Sequence, residues 1–267
     1  MKLALYVKKR SLAGDPRIDA LRSSLVSGGF ETYDVRSSED LDPSTDVLLS
    51  LGGDGTFLSA ARIVGDSAVP VLGVNFGRLG FLSEYKPEEV VDALTKGTYT
   101  VEDRTLLRTE VEGTDISEIS LNEMTVHRAG AAMLGVDVAI DGEPLPTCWA
   151  DGLLVATSSG STAYSLSVGG PICLPQAEVL IIAPIAPHNL NVRPLVVPHT
   201  SRIDLSFHSR NDSVMLTMDN LNAVLPVTSK ISVSVAQFSL KTIRLDRSNF
   251  IQALRSKLFW GEDVRNL

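Results

Sequence analysis

The apolar positions of the first hundred residues fall into two alternating kinds of run. Leu3–Val7, Phe30–Val35, Val47–Leu51 and Val69–Val74 are short, apolar-rich stretches that read as strands of a buried sheet. Segments with helical character lie between them. Asp15-Pro16 predicts a helix start, with the aspartate as cap and the proline as first residue, and Gly28-Gly29 predicts its end. Phe57–Val64 reads as a helix, and Lys86-Pro87-Glu88-Glu89 opens another that stops at Gly97. Strand and helix in alternation imply a Rossmann-like, mostly parallel sheet with helices packed on it. Ligands of such sheets bind beyond the carboxyl ends of the strands.

From about Tyr99 the period changes. Thr109–Glu112, Ile119–His127, Gly135–Ile140, Leu153–Thr157, Val179–Ala183, Ile203–Phe207, Val214–Met218, Ile231–Val235 and Leu240–Arg244 read as short strands. Turn residues such as Asp141-Gly142 separate them, the pattern of an antiparallel, β-sandwich-like domain. Ser159–Val168, rich in small and hydroxyl-bearing residues, interrupts the strands and predicts a short helix. Asn249–Phe259 places Phe250, Leu254, Leu258 and Phe259 at helical spacing. The organisation expected is an α/β domain over residues 1–98, a β-rich domain over 99–246, and a helix within 247–267 packing back on the first domain.

A chain of 267 residues is long enough for two cores. Its formal net charge of −8, with no long Lys/Arg run, argues against nucleic acid as a partner but leaves room for a nucleotide at a local anion site. Cys148 and Cys173 are too few for a disulfide scaffold or a zinc ribbon and fit a reducing compartment. No apolar stretch approaches membrane-span length, and the start has its apolar run before its charges, the wrong order for a secretion signal. A cytoplasmic protein without a membrane partner is expected.

Four segments carry candidate chemistry. Gly52-Gly53-Asp54-Gly55-Thr56 follows a predicted strand. Its glycines let a ligand approach the backbone closely, Asp54 supplies one accessible carboxylate, and Thr56 is expected to cap the helix opening at Phe57. Phosphate-binding N–H groups, a carboxylate and open access are the needs of a kinase; a plain strand-to-helix turn with a solvated aspartate is the alternative. Asn122-Glu123 sets an amide beside a carboxylate, suited to sugar hydroxyls and a purine edge, or equally to an exposed strand. The run Asp151–Pro171 leads an apolar strand into a loop of hydroxyls and glycines, with Tyr164 able to stack on a heterocycle. Gly73–Gly80 fails as a dinucleotide fingerprint, since its spacing is Gly-x3-Gly-x2-Gly, although Asn75 can point a polar group from the strand end. There is no P-loop, no nucleophile elbow around Ser161, and no metal-ligand spacing among His127, His188, His199 and His208.

Taken in order, Gly-Gly-Asp54-Gly-Thr, Asn75-Phe-Gly-Arg-Leu-Gly-Phe81-Leu, Leu-Asn122-Glu123 and the Asp151–Pro171 run resemble the NAD kinase family. Pro187-His188 and Arg193-Pro194-Leu195 continue the likeness, which spans roughly residues 46–198. Diacylglycerol, sphingosine and 6-phosphofructokinases carry turns similar to that at Asp54, whereas the long third motif is specific to NAD kinases. The resemblance implies an N-terminal α/β domain, a C-terminal β domain with the active site in the cleft between them, and phosphoryl transfer to the 2′-hydroxyl of the adenosine ribose of NAD. It implies ATP or polyphosphate as donor, and Mg²⁺ held mainly through the donor phosphates with no direct protein ligand. It further implies assembly as a homodimer or homotetramer. Asp54 is the implied catalytic residue, with Gly52, Gly53, Gly55 and Thr56 around the phosphates. Asn75, Phe81, Asn122, Glu123, Asp151, Ser159, Thr162, Ala163, Tyr164, Ser165, Leu166, Ser167, Ala186 and Asn222 are the implied binding residues.

The chain departs from the family pattern at three places. Ser158 stands where a proline is usual, which predicts a less rigid loop; Trp149 stands where a basic or polar residue is usual; and Asp219-Asn220-Leu221-Asn222 replaces Asp-Gly-Gln. The competing readings are a lipid kinase sharing only the Asp54 turn, a nucleotide sensor lacking the acid, and a nicotinamide oxidoreductase.

Overall fold

The computed structural model describes residues 1–8, 12, 14–77, 80–189, 191–246 and 250–260. The chain divides into two compact units, Met1–Asp103 with Leu240–Leu267, and Arg104–Ser239.

The first unit is built on one sheet. Its strands run in the order Glu31–Val35, Lys2–Tyr6, Val47–Gly52, Val71–Asn75, Leu240–Leu245, Tyr99–Arg104. The first five are joined by parallel pairing. Helices Pro16–Ser27, Asp54–Val64 and Pro87–Lys96 connect them. Asp15 caps the first of these, accepting a hydrogen bond from the Arg17 N–H, with Pro16 following it, and the third stops at left-handed Gly97. Every residue of Val47–Gly52 is buried, Leu48, Leu49 and Leu51 fully. Each leucine contributes about 1.5–3 kcal/mol of burial, so the turn that follows stands on a rigid base.

Two strands belong elsewhere than the sequence pattern suggests. Tyr99–Arg104 and Leu240–Leu245, expected in the β-rich domain, are neighbours in the first sheet. The boundary therefore lies at 103/104, and the chain re-enters the first unit at Leu240. A strand's own periodicity reports which face it buries, not which sheet its hydrogen bonds join. Helix Phe250–Leu258 follows in the same unit; Asn249 and residues 261–267 lie outside the described residues.

The second unit is a pair of antiparallel sheets. One orders Glu143–Pro144, Leu134–Ile140, Ile203–His208, Ile231–Val235, Leu107–Val111 and Ser117–Ser120, with Cys148–Ala150 also on Leu134–Ile140. The other orders Leu195–Pro198, Val179–Ile185, Gly152–Thr157, Glu123–Arg128, Ser213–Met218 and Leu221–Pro226. Residues from both, among them Leu107, Val126, Leu153, Leu205, Val214 and Val233, form one core. The predicted single strand Ile119–His127 is two strands, one in each sheet, and the chain changes sheets at Leu121-Asn122.

Candidate functional site

In the first unit the strand Val47–Gly52 ends on the glycine turn, and the helix begins at Asp54 with Gly53 as its cap. The sequence expectation of a helix capped by Thr56 is thus corrected. A carboxylate in the first turn already complements the positive helix end, so no hydroxyl cap is used. Thr56 is buried instead, and a Cβ on Gly52 would collide with its side chain. Gly53 and Gly55 have open space where a side chain would stand, which leaves the backbone approachable.

The Asp54 carboxylate is held by three consecutive amides. Phe81 N–H donates to Oδ2 at 2.8 Å, and Leu82 and Ser83 N–H donate to Oδ1 at 3.0 and 2.9 Å. Any side chain at Gly80 would run into this carboxylate. Asn75 fixes the same loop from beneath, its Nδ2 donating to Ser83 O at 2.8 Å and its Oδ1 accepting from Gly77 N–H at 2.8 Å. Gly73 lets the loop lie on the strand, since a Cβ there would come within 2.5 Å of Leu82 O. The weak glycine pattern thus has a packing reason. Arg78 and Leu79 of that motif lie outside the described residues. The ring of Phe81, one of the implied binding residues, lies tilted against Phe250 with centroids 6.3 Å apart.

In the second unit Asn122 is buried where the chain changes sheets, and Asp219 does for its loop what Asp54 does for 81–83. Leu121 N–H donates to Asp219 Oδ2 at 2.7 Å, and Asn122 and Glu123 N–H donate to Oδ1 at 3.0 and 3.2 Å. Asp219 has φ +49° and opens the Asp219-Asn220 turn of the hairpin joining Ser213–Met218 to Leu221–Pro226. Turn chemistry of that kind was the signal available in the sequence. Asn222, by contrast, is exposed on the outer strand opposite Thr217. Removing the carboxylate by Asp219→Ala leaves three amides without their acceptor. We expect a loss of about 1–3 kcal/mol in urea denaturation, and an unchanged midpoint would show that the amides find other partners.

Thr157 and Gly160 lock this corner. Thr157 is fully buried; its Oγ1 donates to Leu121 O at 2.6 Å and accepts from Gly160 N–H at 3.1 Å. The hydroxyl loop then forms a tight turn over Ser159–Thr162 and a short helix over Tyr164–Ser167, joined at Ala163, so Ser165 and Leu166 fall in the helix. Ser159 and Ser165 hydroxyls are buried without a partner. The loop is tethered rather than loosened at Ser158. That residue has φ −58°, the value a proline would impose, and its hydroxyl donates to Pro175 O at 2.9 Å.

Around this loop stand ionisable groups. Asp151 pairs with Arg128 at 2.7 Å, and the His127 ring stacks on Tyr164 with centroids 6.0 Å apart. The histidine was given no role from sequence, because its stacking partner is distant along the chain. Burial lowers its pKa and the Asp151 charge opposes this. The Tyr164 phenol is pushed up by burial, with Glu123 and Asp151 adding to the effect. Ala186 is exposed with φ +48°, two residues before His188, whose N–H donates to Trp149 O at 2.8 Å.

Glu123 is the most displaced of these groups. Burial, reinforced by the Asp219 charge and opposed by the Tyr164 N–H, pushes its carboxyl up to about 8, and Oε2 has no partner. At neutral pH the group is mostly protonated and can donate a hydrogen bond. The folded protein keeps a proton that the unfolded chain releases from about pH 4.5, so this group's effect is a loss of stability as pH rises towards about 8. Glu123→Gln mimics the neutral form. Its stability relative to the parent is expected to improve steadily from pH 5 to 8, by up to about 1.4 kcal/mol per pH unit; a difference independent of pH would sink this assignment.

Among the described residues no three His, Cys, Asp or Glu side chains gather as metal ligands. No helix among the described residues is long and apolar enough to cross a membrane.

Two domain families match the chain: the ATP-NAD kinase N-terminal domain over residues 9–100 and the ATP-NAD kinase C-terminal domain over residues 121–245. The chain belongs to the NAD kinase family. The NAD kinase of Flavobacterium psychrophilum is 40% identical over 88% of this chain and 83% of its own. That of Porphyromonas gingivalis strain ATCC 33277 is 41% identical over 99% of each chain. Solved structures agree. Yeast NADH kinase complexed with NADH superposes with a TM-score of 0.85 at 25% identity, covering 100% of this chain and 90% of its own. An NAD kinase from Archaeoglobus fulgidus in complex with ATP gives 0.78 at 27% identity, covering 96% and 99%. Membership of the NAD kinase family makes the chain a phosphotransferase whose acceptor is an alcohol.

Proposed function

We propose that this chain transfers the γ-phosphoryl group of ATP to the 2′-hydroxyl of the adenosine ribose of NAD, giving NADP and ADP. The observation that carries the reading is the Asp54 carboxylate, held at a helix N-terminus beside two glycines with open space around them. The ATP-bound Archaeoglobus structure supports ATP as donor, and the NADH-bound yeast structure supports a nicotinamide dinucleotide as acceptor.

Backbone N–H groups of the Gly52–Gly55 turn bind the donor phosphates, aided by the helix end. Asp54 accepts a hydrogen bond from the 2′-hydroxyl and orients it on the γ-phosphorus. The new bond joins the ribose oxygen to that phosphorus, the bond to the β,γ-bridging oxygen breaks, and the hydroxyl proton passes to Asp54. A carboxylate is a weak base for an alcohol, so the proton moves late in a loose transition state, and positioning dominates. Mg²⁺ would be held mainly through the donor phosphates and would neutralise part of their charge. Asn122 and protonated Glu123 hold ribose hydroxyls and base, with Asp151, Thr162, Ala163 and Tyr164 completing the adenosine pocket. Ser159 and Ser167 line it.

The test is NADP formation by the purified chain with NAD or NADH, ATP or polyphosphate, and Mg²⁺, with a lipid alcohol as rival acceptor. Phosphorylation of the dinucleotide is expected. Phosphorylation of the lipid alone would replace this reading with a lipid kinase, and no transfer with any donor would leave a nucleotide sensor.

A further inference from the structure

We infer that Lys257, on the C-terminal helix, is a positioning residue for Asp54, acting through the single peptide group between Gly80 and Phe81. Resting on the reading of Asp54 as the reactive carboxylate, the inference concerns a residue far along the chain from every motif. The Lys257 ammonium donates to the Gly80 carbonyl. The N–H of that same peptide, on Phe81, donates to Asp54 Oδ2 at 2.8 Å. One peptide plane is therefore gripped at both ends, by a cation on its oxygen and by a carboxylate on its hydrogen. Each bond polarises the peptide in the sense that strengthens the other.

Two further contacts hold the lysine in place. Its side chain is 8% exposed, and Nζ lies 3.3 Å from Glu84 Oε1. It stands over the Phe81 ring at 4.7 Å from the centroid. Phe250, at the start of the same helix, packs tilted on that Phe81 ring. Ala253 is the helix's one buried residue among those described, and a cavity of about 470 Å³, lined in part by Glu84, Glu89, Asp92, Gln252, Ser256 and Lys257 itself, lies beside it. A half-buried lysine whose ammonium is aimed at a loop carbonyl is poorly explained as core filling. Gly80 cannot carry a side chain and Asn75 is tied to Ser83 O, so Lys257 adds a third restraint on the Gly80–Ser83 segment.

Lys257→Met and Lys257→Arg in the full chain test this against Asp54→Asn. Lys257→Met is expected to lower kcat about ten- to a hundredfold, as small misplacements of a reacting group do, with KM for NAD changed by no more than about twofold. Amide exchange at Phe81, Leu82 and Ser83 is expected to accelerate without substrate present. Lys257→Arg, which can still reach a carbonyl, is expected to recover most of kcat and the protection. Unchanged kcat in Lys257→Met overturns the inference. So does a fall in kcat with no change in amide exchange, or one that Arg does not rescue. If Asp54→Asn keeps full activity, the reading of Asp54 fails, and the exchange rates still decide whether Lys257 seats the loop.

Discussion

Asp54→Asn is expected to lower kcat for NADP formation by about 10²–10⁴-fold while the chain stays folded. The carboxylate accepts from Phe81 on one oxygen and from Leu82 and Ser83 on the other. Asparagine keeps only one acceptor oxygen. If that oxygen serves Leu82 and Ser83, the amide nitrogen meets the Phe81 N–H donor to donor, and the reverse orientation leaves two donors facing it. Either arrangement costs about 1–3 kcal/mol, a loss a two-unit chain with separate cores can absorb. The kinetic loss has a different source, because a neutral amide is a weaker acceptor for the ribose hydroxyl and cannot take its proton. Turnover by a coupled dehydrogenase assay, with urea denaturation alongside, separates the two effects. A variant turning over at the parent rate would make Asp54 a loop anchor and nothing more.

The second large effect is predicted at Gly160. A Cβ there would overlap the Asn122 carbonyl oxygen and lie 2.6 Å from its carbon and 2.8 Å from Asn122 Cα. These are backbone atoms and cannot swing aside. Asn122 is anchored from both directions: its N–H is held by Asp219 and its oxygen accepts from Thr157 N–H at 2.9 Å. Gly160→Ala must therefore push the hydroxyl loop away from Asn122 or break those bonds. The expected cost is about 1–3 kcal/mol, with KM for NAD raised about tenfold or more, one order for each 1.4 kcal/mol of lost binding. Binding of NAD without donor, by calorimetry, reads the effect directly. Parent-like affinity would mean that the loop and Asn122 do not jointly hold the dinucleotide.

Much of this architecture could be read from the chain. The parallel sheet was legible because Val47–Gly52 and Val71–Asn75 are apolar-rich runs and its helices carry explicit ends at Asp15-Pro16 and Gly97. Tyr99–Arg104 and Leu240–Leu245 escaped assignment to that sheet because sheet membership is settled by hydrogen bonds over more than a hundred residues. The glycine turn and hydroxyl loop announced themselves through residue types that serve few other purposes. The groups that organise them did not. Asp219, Thr157 and Lys257 act on backbone atoms distant in sequence, and an aspartate, a threonine and a lysine are unremarkable in any strand end or helix. Glu123 was visible as a carboxylate, but its protonation depends on burial and on the Asp219 charge, which only the folded chain brings near.

The change of sheet at Leu121-Asn122 has a mechanical corollary. Ser117–Ser120 is paired within one layer and Glu123–Arg128 within the other, so the intervening residues span the sandwich like a strut. Any sliding of one layer over the other is geared directly onto Asn122 and Glu123. On the proposed reading, in which Asn122 and Glu123 hold the dinucleotide, enlarging or shrinking a core residue such as Val126 or Val233 is expected to change nucleotide affinity without touching the ligand.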